Sequence, residues 1–288
     1  MKIIKYFLQF VLIIILFFIF KLIGYKNSSN LGSQIGKIFG KFIRSDRIIK
    51  NNLSIIENNS DFKIDNKDKI VKKVFSNYGR ILAEYVHLSK FKGPLKKYVT
   101  LNGENFLREI KQNKKNVVFI SGHFNNFELM AMEIEKAGVD LSAIYRPLNN
   151  IFLNKIMENI RTNYICQKQI KKGRSGTREI IENLKKGSSI ALMIDQRVRE
   201  GVKVNFFGNL ATTTTIPAQL VKKYKCELVP IYIERRSKFH FKMYVSKPIK
   251  VGENKTVDEI TEFLNTVLEK MILKNPLQWI WTHDRWKK

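Results

Sequence analysis

Four apolar residues, Val117-Val118-Phe119-Ile120, lead through Ser121-Gly122-His123-Phe124-Asn125-Asn126-Phe127 into Glu128-Leu129-Met130-Ala131-Met132-Glu133. An unbroken β-branched and aromatic run reads as a strand buried on both faces, and the residues after the turn carry helical spacing. A buried strand feeding a helix through a short turn commits the chain to an α/β layered domain. It also places two reactive groups: His123 falls in the turn and Glu128 in the first turns of the helix. On one continuous helix a five-residue offset would set them about 140° apart. Across a turn they can meet. An imidazole accepts a proton near neutral pH, and a carboxylate beside it fixes the tautomer and stabilises the imidazolium. The expectation is that His123 acts as general base with Glu128 orienting it, and that the pair activates a substrate hydroxyl directly. A helix-start histidine near a solvated glutamate is common, so this assignment depends on the rest of the chain.

From residue 116 onward, strands and helices alternate. The expected strands are 116–121, 141–145, 188–194, 227–234 and 239–246, and the expected helices are 125–137, 149–165, 176–186, 216–224 and 256–274. This alternation implies a central mixed sheet flanked by helices. Residues 27–110 read as helical, with Ile35, Ile38, Phe39 and Phe42 on one stripe and Ile70, Val74, Phe75, Tyr78, Ile81, Leu82, Tyr85 and Val86 on another. Such stripes are ordinarily core.

The N-terminal segment Tyr6 to Ile23 is apolar except for Gln9 and Lys21, enough helix to reach across a hydrocarbon core of about 30 Å. No small-residue cleavage site follows it, so an uncleaved membrane anchor is expected, either spanning or embedded in one leaflet. Lys2, Lys5, Lys21 and Lys26 flank it on both sides and give little orientation. The division is therefore a membrane helix over 1–25 and one domain over 26–288, without internal repeats. With 52 Lys+Arg against 25 Asp+Glu, the net charge of +27 points to polyanionic surroundings: nucleic acid, anionic lipid or an acidic carrier protein. No basic–aromatic nucleic-acid-binding module is recognisable, so nucleic acid is not expected. Cys166 and Cys226 have neither disulfide-framework nor metal-ligand spacing and read as small buried residues.

Four further clusters fall at the carboxyl ends of the expected strands, where open α/β sheets hold ligands. They are Tyr145-Arg146-Pro147, then Gly173-Arg174-Ser175-Gly176 with Ser175 as a helix cap, then Asp195-Gln196-Arg197, and last Phe206-Phe207-Gly208 before Thr212-Thr213-Thr214-Thr215-Ile216-Pro217. Each alone has an ordinary reading as a surface arginine, a turn or a cap. Their joint order carries more.

In that order, and with the tail Gln278-Trp279-Ile280-Trp281 through Arg285-Trp286-Lys287, the chain resembles the lipid A biosynthesis acyltransferase family, the late lauroyl/myristoyl-type enzymes of Gram-negative bacteria. The likeness runs from the N-terminal anchor to Trp286. The histidine-x4-acid motif is shared with glycerolipid acyltransferases; Asp195-Gln196, Phe206-Phe207-Gly208 and the tail narrow it. His283-Asp284-Arg285 stands where a more basic run is expected.

The resemblance implies a glycerolipid-acyltransferase-like fold and an inner-membrane enzyme whose catalytic domain faces the cytoplasm. It implies transfer of an acyl chain from acyl carrier protein, or from coenzyme A, to a hydroxyl of a Kdo-bearing lipid A precursor, without metal or cofactor. An enzyme of the same superfamily acting on another glycolipid or glycerolipid is the alternative. The expected catalytic residues are His123 and Glu128, and the expected substrate-binding residues are Arg146, Arg174, Asp195, Gln196, Arg197 and Gly208.

Overall fold

A computed structural model describes residues 2–287. Its first helix, α1 (Lys2–Ile43), is two helical segments joined at Gly24, whose φ of 75° lies where a side chain would be strained. Then come α2 (Arg47–Asn58) and α3 (Lys67–Glu84), the latter capped by the Asn66 side chain, which accepts from the Lys69 N–H at 2.9 Å.

The second segment of α1 lies on α3 through small residues. Gly32, Ser33, Gly36 and Gly40 are buried. A methyl group on Gly36 would strike the Phe75 carbonyl, and one on Gly79 would strike the carbonyl of Gly32. The expected core stripe on this segment is therefore mostly turned outward: Ile38, Phe39 and Phe42 are 61%, 51% and 86% exposed, while Ile35 is half-buried and packs against the core. The glycine-serine face wins the interface because it lets two backbones approach within reach that no aromatic side chain allows. We expect Gly79→Ala to destabilise the fold by about 1–3 kcal/mol through overpacking, read as a lowered Tm in detergent.

The remainder of the chain is β1 (Val99–Asn102), α4 (Glu104–Gln112), β2 (Val117–Ser121), α5 (Glu128–Lys136), β3 (Leu141–Tyr145), α6 (Ile151–Ile160), β4 (Lys168–Lys171), α7 (Arg174–Lys185) and β5 (Ser189–Met193), followed by β6 (Val202–Phe206), β7 (Asn209–Thr213), α8 (Ile216–Tyr224), β8 (Glu227–Arg235), β9 (Phe241–Val245) and α9 (Val257–Lys274). Seven strands form one mixed sheet in the order β1-β9-β8-β2-β5-β3-β4, with helices packed around it. Within this sheet, among the described residues, only the β8–β9 pairing is antiparallel. β2 lies at the centre, buried at every position. After it the chain turns toward β3 and β4 on one side, while β8 and β9 fill the other, so a crevice opens at its carboxyl end.

All five expected strands are present. The short edge strands β1 and β4 and the β6–β7 hairpin were not expected; β4 is Lys-Gln-Ile-Lys, whose charged positions hide a strand at a sheet edge. Ser175 does not cap α7, which begins at Arg174 after Gly173.

Candidate active site

The β2–β5 register builds the site. Ser121 pairs with Met193, and the Ile194 N–H donates to the Ser121 carbonyl at 2.9 Å. Both chains then leave the sheet side by side, so the second residue beyond each paired position, His123 on one and Asp195 on the other, must be neighbours. His123 Nδ1–H donates to Asp195 Oδ1 at 2.7 Å, and the His123 backbone N–H donates to Asp195 Oδ2 at 2.8 Å. Trp279 Nε1–H supplies a third bond to Oδ2 at 2.9 Å. Asp195 is 2% exposed, yet three donors satisfy it.

Burial opposes charge on Asp195, but the adjacent His123 and these donors outweigh it and hold the carboxyl below its usual range. Burial likewise pulls the His123 imidazole down, and the Asp195 charge and hydrogen bond outweigh that pull, raising it above the ordinary histidine value. With Nδ1–H fixed on the carboxylate, Nε2 is left as the basic nitrogen, on a side chain 20% exposed. The ring edge packs against Phe127, centroids 4.8 Å apart.

The carboxylate that bonds the imidazole is thus Asp195, and not Glu128, the one expected to orient it. Glu128 makes its hydrogen bonds elsewhere: its Oε1 accepts from Arg161 Nε at 2.9 Å and Nη2 at 2.6 Å, and from the Tyr85 hydroxyl. The reason is local. Asn125 adopts a left-handed φ of 40°, and its N–H and side-chain amide bond the Gln278 carbonyl at 2.8 Å and Oε1 at 3.0 Å. That bend turns the chain between His123 and Glu128 and sends the acid toward α6. Glu128 acts on His123 only through its field, as a lesser influence favouring the imidazolium. Arg161 and Tyr85 are functional candidates that sequence reasoning missed; neither lies in a recognisable motif.

The C-terminal tail closes the site from behind. The Ile280 N–H donates to the His123 carbonyl at 3.0 Å, and Phe124 and Trp279 form an antiparallel bridge. Trp286 stacks on Phe206 at 5.3 Å and 22°, and fully buried Arg285 donates to the Thr213 hydroxyl at 2.6 Å and the Thr212 carbonyl at 2.9 Å. The Phe-Phe-Gly run, the threonine run and the tail are one packed unit.

The family model described as bacterial lipid A biosynthesis acyltransferase matches residues 1–288. The chain belongs to this family. It is similar to the lipid A biosynthesis palmitoleoyltransferase of Escherichia coli (strain K12), 24% identical over 266 residues that cover 89% of this chain and 84% of the relative. It is also 25% identical over 268 residues to the lauroyltransferase of the same strain, covering 89% and 84%. A lipid A biosynthesis acyltransferase 2 of Shigella flexneri is 22% identical over 263 residues, covering 88% and 80%. The protein is an acyltransferase of lipid A biosynthesis.

The remaining expected site residues of this acyltransferase divide. Gly208 has a turn-forming role: Phe207 and Gly208, with φ of 51° and 69°, form the two-residue turn of the β6–β7 hairpin. A side chain on Gly208 would meet Asn59 at 2.5 Å. Gln196 and Arg197 follow Asp195 directly and are half-buried. The Arg197 N–H donates to His283 Nε2 at 2.9 Å, while its Nε is buried without a partner among the described residues. Burial pushes His283 below the ordinary histidine value, which keeps Nε2 free to accept that bond. So the histidine of the His283-Asp284-Arg285 run, where Asp284 is the departure from the expected basic run, fixes the backbone of the Asp195 loop. Arg146 follows β3 and Arg174 opens α7, both exposed.

Proposed function

We propose that the enzyme moves a fatty acyl chain from an acyl carrier protein thioester to a hydroxyl of a Kdo-bearing lipid A precursor, at the cytoplasmic face of the inner membrane. The single observation that carries the chemistry is the His123–Asp195 pair at the mouth of the central crevice, with Nε2 left basic. In the proposed step, Nε2 takes the proton of the acceptor hydroxyl as that oxygen attacks the thioester carbonyl. The tetrahedral intermediate then collapses, the carbon–sulfur bond breaks, and the imidazolium returns the proton to the departing thiolate. Asp195 holds the tautomer and stabilises the imidazolium. Glu128 adds negative field at His123 that the opposing influence of Arg161 only partly cancels. The net charge of +27 suits both an acidic carrier and a phosphorylated saccharolipid. Residues 26–288 would form the catalytic unit.

Incubating the purified enzyme with a Kdo-bearing tetra-acylated precursor and matched acyl thioesters of carrier protein and coenzyme A, read by mass spectrometry, tests this. One added acyl chain, formed faster from the carrier protein and absent in His123→Ala, is expected. Acylation of a glycerolipid or another glycolipid in place of the lipid A precursor would overturn the acceptor assignment in favour of the alternative.

Arg146, Arg174 and Arg197 are proposed to hold substrate anions, a task for which the planar guanidinium fork has no lysine equivalent. Single Lys substitutions are expected to raise KM severalfold with kcat nearly constant for ground-state binding. A fall in kcat would instead mark an oxyanion donor, for which Arg146 is the candidate. Three near-wild-type variants would remove the assignment.

A further inference from the structure

The apolar half of α1 does not stand away from the catalytic domain. Near its start, Asn150 Nδ2–H donates to the Tyr6 carbonyl at 2.8 Å, and Phe152 packs its ring 5.7 Å from both Phe7 and Phe10. Further along, Phe17 and Phe20 are buried. His87 Nε2 lies 3.1 Å from the Phe20 carbonyl, and the Tyr25 hydroxyl donates to the Phe239 carbonyl at 3.0 Å. Tyr6 and Phe20 are about 21 Å apart along a helix, so the domain accompanies the apolar segment over most of a hydrocarbon core's thickness.

That companionship conflicts with a perpendicular crossing. The part of the domain beside Tyr6 is the start of α6, which exposes Asn149, Lys155 and Asn159. A crossing helix would carry these polar groups through the bilayer, where a charged group such as Lys155 costs about 2.5–3.5 kcal/mol or more. The outward side of the same segment is unpartnered and apolar: Ile4, Leu8, Leu12 and Leu22 are each about 60–70% exposed. Leu148 and Ile151 continue that surface from the domain, 39% and 61% exposed. Cations adjoin it. Lys172 sits beside Arg146, since its N–H donates to the Tyr145 carbonyl at 2.8 Å, and neither they nor Arg174 has a carboxylate partner among the described residues. An apolar strip bordered by free cations fits the boundary between acyl chains and anionic headgroups.

We infer that α1 lies in one leaflet of an anionic phospholipid bilayer together with the β3–α6 turn, and that the N-terminus stays on the same side as the catalytic domain. The inference rests on the membrane association proposed above. It gives the domain a fixed seat, with Arg146 at headgroup level, where a tether would let it swing.

The test uses the full chain bound to preformed vesicles of phosphatidylethanolamine and phosphatidylglycerol. Cys166 and Cys226 are buried, so introduced cysteines can be labelled selectively. The expected result is that a membrane-impermeant maleimide labels Lys2→Cys to the same extent as Lys255→Cys on the domain surface, before and after detergent. A fluorophore on Ile151→Cys should be quenched by spin-labelled acyl chains, and one on Lys255→Cys should not. Labelling of Lys2→Cys only after detergent, or an unquenched fluorophore at 151 on bound protein, overturns the in-plane seat. Failure to float with vesicles at all sinks the membrane association itself, a distinct outcome.

Discussion

Replacing Asp195 with Asn is expected to lower kcat on the order of 10⁴-fold, the loss seen for the equivalent substitution in a serine protease triad. The geometry explains why so small a change is so costly. Oδ2 accepts two fixed donors, the His123 backbone N–H and Trp279 Nε1–H. An asparagine must turn its carbonyl oxygen toward those donors, which points its NH₂ at His123 Nδ1. The ring then presents Nδ1 as acceptor and carries its proton on Nε2, the tautomer that cannot take a proton from substrate. KM should change little, because neither group needs to bind the ground state. The pH profile separates this from a folding defect. The basic imidazole is required, so kcat/KM rises with pH through the His123 pKa, which Asp195 raises above about 6.5. The acid limb of wild type therefore lies above that value, and in the variant, with the raising charge removed and burial left to act, the limb of the residual activity moves down. A variant within threefold of wild type, or a limb that does not move, would remove Asp195 from the reaction.

His123 was legible in the sequence because a buried strand, a turn and a helix are local patterns. Its partner was not, because a hydrogen bond between residues 72 positions apart depends on strand order. Asp195 was recognised as a strand-end residue, and only the parallel pairing of Ser121 with Met193 brings it beside the imidazole. Glu128 drew attention through proximity in sequence, yet one left-handed residue, Asn125, redirects it. The same limit applies to Gly208 and the tail. Phe206, Arg285 and Trp286 form one stack, but a motif carried over from relatives does not distinguish a residue that touches substrate from one that holds the scaffold. The exposed stripe of Ile38, Phe39 and Phe42 failed for another reason. Helical periodicity reports which residues share a face, and here glycines made the opposite face the better interface.

Glu128→Gln should destabilise the fold by about 3–5 kcal/mol, the range for stripping a buried ion of its counter-charge. Arg161 is the ion concerned. Its side chain is 13% exposed, and its charge is held mainly against Glu128, which overcomes the opposing effect of burial and raises its pKa. For a chain of this length the corresponding fall in Tm is about 10 °C. The companion variant Arg161→Met removes the charge that Gln strands, so the double variant Glu128→Gln/Arg161→Met should regain most of the lost Tm, a non-additivity diagnostic of direct coupling. Activity should not return with it. Glu128 also contributes negative field at His123 that exceeds the opposing influence of Arg161, and a neutral pair loses that difference, which favours the imidazolium as it forms. The expected double variant is thus a stable protein with kcat still below wild type. Recovery of both Tm and kcat would reduce Glu128 to a scaffold residue, and leave His123 and Asp195 as the whole of the acid–base machinery.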